Sequence, residues 1–240
     1  SDPAEATNLA ARNFRRPTRG DDAPKPVPTV EIEQLAEKRM IAEAETRPMV
    51  RVRYHTVADA HADEPALLML ANILNGRTGR LYKSLVLERQ VAVQAAAGVN
   101  GMKWDGFFEF QGVARPPKSP EDVERAIYDE IAVLRDALVD ERELQKVKNQ
   151  QMAEDFERLE SKFNLMMQLL SYDALGEWRN VNRFSDRIQA VTAEDIRRVA
   201  RKYFRPENRN VAIYYTKGQR PDQPAAGAPS ADTSNEGASR

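Results

Sequence analysis

Leu74 to Ala92 reads LNGRTGRLYKSLVLERQVA, and within this stretch the chain stops one helix, starts another and enters a strand. Just upstream, DEPALLMLANIL (Asp63 to Leu74) sets Ala66, Leu70, Ile73 and Leu74 at the three-and-four spacing of a buried helical face. Asn75-Gly76 ends that helix, because glycine tolerates the left-handed backbone that follows a last turn. The pattern predicts Thr78 as the N-cap of a second helix carrying Leu81, Leu85 and Val86 inward. From Val91 the period becomes two, as in a strand.

Working outward, Val50, Val52 and Tyr54 alternate with Arg51, Arg53 and His55, which predicts a half-buried strand whose Val/Val/Tyr face is covered. Val91, Val93, Ala95, Ala97 and Val99 predict a second strand. Asp105-Gly106 supplies turn chemistry, and Phe108, Phe110 and Gly112 return as a third. Ser119-Pro120-Glu121-Asp122 carries a cap, a first-turn proline and two acids, ahead of a stripe of Val123, Ile127, Ile131, Leu134 and Leu138. A long helical region is expected from Glu141 to about Leu175, then helices over Phe184 to Ala190 and Ala193 to Tyr203, and a closing strand on Val211, Ile213 and Tyr215. The expected fold class is α+β: an antiparallel sheet with helices packed on one face, built on a βαββαβ core with extra helices.

The flanks read differently. Ser1-Asp2-Pro3 opens a helix to about Arg16, and Pro17, Pro24, Pro26 and Pro28 predict a semi-rigid extended linker. Gly218 to Arg240 is rich in Ala, Pro, Gly, Ser and Asp and is expected to be disordered. Lys+Arg 36 against Asp+Glu 37 gives a net charge of -1, which argues against nucleic-acid binding through bulk charge. The chain has no Cys, so disulfides and thiolate metal sites are excluded. No apolar run is long enough to span a membrane and no signal peptide is visible. A chain that opens without Met, inside a helix, is expected to be a fragment, a processed product or a trimmed chain.

The order of these pieces resembles the C-terminal half of the M16 zinc metallopeptidases, the pitrilysin, insulinase and mitochondrial processing peptidase group. There the segment matching Leu74 to Ala92 typically reads L-x-x-x-L-G-x-G-x-[ST]-[SG]-R-L-[FY]-x-x-L-R-E-x-x-x-[AL]. Tyr54-His55-Thr56-Val57, Arg115-Pro116, Val191-Thr192-Ala193-Glu194-Asp195 and the strand Asn210 to Thr216 follow in the family's order, so the resemblance covers roughly Glu37 to Lys217. It implies an M16 C-terminal domain at 37–217, a linker at 17–36, a remnant helix of the preceding N-terminal domain at 1–16 and a tail at 218–240.

The resemblance also implies where the chemistry lies. M16 enzymes hold zinc on an inverted H-x-x-E-H helix, with two imidazoles on one face and a Glu that takes a proton from the bound water. This chain has two histidines, His55 and His61, on a strand end and a loop; His61-Ala62-Asp63-Glu64 imitates half of the motif, with Pro65 where the second His would stand. No metal ligands and no catalytic residues are therefore assigned, and zinc is expected in the parent protein or a partner subunit. Many M16 C-terminal halves contribute an Arg and, seven residues later, a Tyr; those positions hold Val86 and Val93, which cannot donate a hydrogen bond. Arg77 and Arg80 read as cap and interface residues and as candidates for facing a substrate chamber. Arg12, Arg15, Arg16 and Arg19 read as a solvated helix end, and Met152, Phe156, Phe163, Met166, Met167 and Leu170 as core packing.

The expected function is one wall of a peptide chamber in an M16 metalloendopeptidase, with hydrolysis in the absent N-terminal half or a partner. The expected partners are that N-terminal domain, a second M16 subunit in a homo- or heterodimer, and a peptide or unfolded polypeptide. An inactive M16 homologue serving as an assembly subunit, and an independent peptide-binding module using a sheet edge, stay open. Location is undetermined, with a bacterial periplasm or envelope favoured by the resemblance alone.

Overall fold

The structure is a computed structural model that describes residues 2–15, 32–175 and 178–221; most of the expected linker and tail lie outside them. The chain divides into two units, Ser1–Glu33 and Gln34–Arg240. The first contains α1 (Pro3–Phe14), started by Asp2, whose side chain accepts a hydrogen bond from the Ala4 amide at 3.0 Å, with Pro3 in the first turn.

The second unit is a five-stranded sheet with helices packed against it. Its strands are β1 (Lys38–Ala44), β2 (Met49–Val57), β3 (Ala92–Gly101), β4 (Asp105–Ala114) and β5 (Arg209–Thr216), in the spatial order β1-β5-β2-β4-β3. The helical connection from β2 to β3 brackets β4, and the path from β4 through the later helices to β5 brackets β2. This is the split βαββαβ arrangement expected from the pattern. β1 adds an edge strand parallel to β5, from Lys38 opposite Asn210 to Ala44 opposite Thr216.

Alternation decides which face is covered. Val50, Val52, Tyr54, Phe108, Phe110, Val211 and Ile213 are buried beneath the helices. Phe204, just past α7 (Ala193–Tyr203), stacks into them with ring centroids 4.9 to 5.3 Å from Tyr54, Phe108 and Phe110. α2 (Glu64–Leu74) buries Leu67, Leu70, Ile73 and Leu74. α3 (Pro120–Asp136) and α7 both start with capping boxes, Ser119 with Asp122 and Thr192 with Asp195.

The structure corrects several local expectations. Gly76 takes the left-handed turn (φ 79), as expected, but Thr78 does not cap: Lys83 N–H bonds to the Gly79 carbonyl, and the Thr78 hydroxyl receives Lys146 instead. The helix then winds as a π-helix over Tyr82–Glu88. The β3–β4 turn is Met102 to Trp104, one step earlier than the Asp105-Gly106 reading, because the ladder already pairs Gly101 with Gly106. β3 carries a bulge between Ala92 and Gln94, so Ala92 is buried and Val93 turns outward. α3 ends at Asp136, which leaves Leu138 exposed. The long helical region breaks at Ser161 into α4 (Glu141–Glu160) and α5 (Lys162–Leu175), followed by α6 (Asn180–Ala190). α5 packs chiefly on α4 and α6 rather than on the sheet. Phe156, Phe163, Met166, Met167 and Leu170 are consequently exposed, not core as expected.

Candidate functional site

Among the described residues of the second unit, the helices cover one face of the sheet. Side chains on the other face follow from the register: Met40, Ala212, Arg51, Gln111 and Ala96 form one row across the five strands, and Lys38, Asn210, Arg53, Glu109 and Gly98 form the next. None of these ten residues is buried. On the helix face the neighbouring positions are buried, so the uncovered face is a property of the architecture.

Among the described residues, two clefts lie on this face. One, about 350 Å³, is lined by Lys38, Met40, Arg51, Arg53, Asn210 and Tyr214 among others, between β1, β5 and β2. The second, about 270 Å³, has a floor of small residues, Ala96 and Gly98, beside Phe107 and Gln111 on β3 and β4. Arg53 stands between them, ion-paired to Glu109 and with its guanidinium 4.6 Å from the Phe107 ring centroid. Arg51 is half-buried and, among the described residues, has no carboxylate within ion-pair distance. Arg39, between Lys38 and Met40 but on the helix-covered side of the β1 edge, holds Glu124 of α3 through two bonds, at 2.9 and 2.6 Å.

A second polar cluster sits at the start of α2, on the helix side. The buried Asp63 carboxylate receives Arg198 at 2.6 Å, Lys202 at 2.8 Å and the Tyr203 hydroxyl at 2.6 Å, all from α7. Burial opposes its ionisation, but the hydrogen bonds from Lys202, Tyr203 and Arg198 prevail and hold it well below the usual carboxylate range. Glu64, next in sequence, behaves oppositely: burial first, then the Asp59 charge, push it up to about 7 against the pull of Arg187. Sequence reading missed both, since a carboxylate at a helix start looks like an ordinary dipole partner.

The residues singled out from sequence separate. Arg80 is committed to Glu143 of α4, at 2.6 Å for its closest bond, and so joins the π-helical segment to the helical layer; Arg77 is exposed. Val86 is buried, whereas Val93 is 39% exposed at the bulge, so the two do not share an accessible site. His55 lies on the uncovered face of β2, while His61 turns its Nδ1 to the Asp63 amide at 2.9 Å in the loop before α2. Among the described residues no three His, Cys, Asp or Glu side chains are placed to hold a metal ion. With Pro65 inside α2 where a second imidazole would be needed, the residues present do not fit zinc.

The Peptidase M16 inactive domain family matches residues 1–151 of the sequence. The chain belongs to this family. Its M16 fold is similar to that of a protease from Helicobacter pylori, with a TM-score of 0.83 at 20% identity over 89% of this chain and 53% of that one. A peptidase M16 inactive domain structure from Pseudomonas fluorescens gives 0.71 at 16% identity, over 90% of this chain and 51% of the other. The inactive peptidase domain of a candidate zinc protease from Bordetella parapertussis gives 0.64 at 21%, over 76% of this chain and 97% of its own. At these identities the likeness is one of fold, and this M16 chain spans about half the length of the Helicobacter and Pseudomonas proteins. A search among curated proteins gives no match.

Proposed function

We propose that this M16 domain forms one wall of the peptide chamber of a metalloendopeptidase, while zinc and hydrolysis reside in an N-terminal half or a partner subunit. The observation that carries this reading is the uncovered sheet face with its two clefts, on a domain whose helices occupy the opposite side. An extended peptide needs a broad surface with alternating places for side chains, and a pleated sheet face bordered by small residues provides it. The misfit of His55, His61 and Glu64 to a metal supports assigning the water-activating centre to another polypeptide segment. The family match and the half-length coverage of the longer relatives agree with such a division of labour. Residues 1–16 would then be the end of that N-terminal domain, 17–36 the connector, 37–217 this wall and 218–240 a tail.

Hydrogen-bond donors for the developing oxyanion come, on this reading, from outside positions 86 and 93, and a second M16 subunit is the natural source. Combining the chain with the zinc-bearing half and following cleavage of a quenched peptide tests the proposal. The chain alone should hold no stoichiometric zinc and cleave nothing, and the combination should cleave. Filling the small-residue cleft by Gly98→Trp should then lower kcat/KM about tenfold or more, as expected when a bound peptide is misplaced. One tightly held zinc on the isolated chain, or full activity of the Gly98→Trp variant, would refute the assignment.

A further inference from the structure

The two clefts differ in charge, and the difference specifies what part of a peptide each can hold. On the β3–β4 side Glu109 neutralises Arg53 and the floor is Ala96 and Gly98, so that cleft suits small or apolar groups. On the β1–β5–β2 side Lys38 and Arg51 enter the same cleft, and neither has an ion-pair partner among the described residues. Two further groups in its lining, the Asn210 amide and the Tyr214 hydroxyl, can complete the hydrogen bonding of an acceptor. Lys38 lies one register row from Arg51 and two strands away, about 12 Å between backbones, a span that two long cationic side chains close around a single group.

We infer that the Lys38/Arg51 cleft is a specificity subsite for a peptide carboxylate, so that the wall selects acidic segments of its substrate. The inference rests on the chamber-wall reading and adds the substrate class to it. Two half-exposed cations favour an anion without demanding one, because water screens part of the attraction. The subsite therefore ranks substrates and steers them in, rather than acting as an absolute gate. A carboxylate can reach it from a Glu or Asp side chain or from a peptide C-terminus, and both present the same pair of oxygens.

The test uses the chain together with the zinc-bearing half and four quenched peptides: Glu against Gln at one position, and a free C-terminus against an amide. The Glu or free-carboxylate peptide should be favoured by about fivefold in kcat/KM at low salt, with the preference shrinking as salt is raised. The member of the set that carries the preference identifies which carboxylate is bound. Lys38→Ala with Arg51→Ala should abolish the preference, bringing kcat/KM for the Glu and free-carboxylate peptides down to that of their Gln and amide counterparts. An unchanged preference in that variant, or an equal loss for all four peptides, would overturn the inference. So would a shift of the chain from dimer to monomer in the variant, because a second copy would then be the occupant of the face. A photo-cross-linker at Gln111 separates the two levels of the argument. Peptides that attach there without distinguishing Glu from Gln sink only the subsite, whereas peptides that never attach sink the wall reading with it.

Discussion

Asp63 and Glu64 are adjacent carboxylates with opposite pH behaviour, because one meets three donors from α7 and the other meets mainly burial and a like charge. Asp63 has a depressed folded value, so its stabilisation is present above the ordinary carboxylate value and is lost as pH falls below about 4. Asp63→Asn should cost about 3 to 5 kcal/mol at neutral pH and flatten the acid limb of urea-denaturation stability. Glu64 holds its proton in the fold up to about 7 against an ordinary 4.5, so its contribution is full below about 4.5 and declines as pH rises through 7. Glu64→Gln should remove that decline and exceed the wild type by roughly 3 kcal/mol once pH passes about 7; a variant tracking the wild-type profile would contradict this. Neither effect is legible in the sequence: that of Asp63 depends on Arg198, Lys202 and Tyr203 arriving from more than a hundred residues away, and that of Glu64 on burial that only the folded packing creates. The valines at 86 and 93 offer a simpler contrast: Val86→Arg places an unpaired charge in the core and should cost about 3 kcal/mol or more, while Val93→Tyr should be tolerated, as thermal denaturation would report.

Local signals set by neighbours in sequence are legible in the chain, and those that depend on distant packing are not. The cap at Ser119, the alternation of Val50, Val52 and Tyr54, and the helix stop at Gly76 all appear in the fold as expected, since each is set within a few residues. The bulge that turns Val93 outward is specified by the pairing of β3 with β4, and the parallel placement of β1 beside β5 by strands far apart in the chain. The apolar stripe of α4 and α5 departs from the expected core for a related reason: periodicity says which residues share a face but not whether anything covers it. Gly79 shows how tightly the turn after α2 is built, because a Cβ there would lie 2.0 Å from the Asn75 carbonyl oxygen. Gly79→Ala should therefore cost about 1 to 3 kcal/mol, through forced movement of backbone rather than a flexible side chain. Equal stability of that variant in chemical denaturation would show that the turn gives way at no cost.

For the molecule as a whole, the division between a helix-covered face and an uncovered one was implicit in the alternation, with Arg51, Arg53 and His55 opposite the buried series. The content of the uncovered face was not, because Lys38, Asn210 and Ala212 join Arg51 only once β1 and β5 are laid beside β2. Family membership gives the fold, and the geometry adds the sheet face on which we propose that a peptide lies. The most direct test of that claim places a photo-cross-linking residue either at Gln111, on the uncovered face, or at the exposed Val133 on α3, in the chain combined with its zinc-bearing half. The account predicts that a bound peptide substrate is captured from position 111 and not from position 133. Capture from 133 alone, or cleavage of the peptide with no capture from 111, would contradict it.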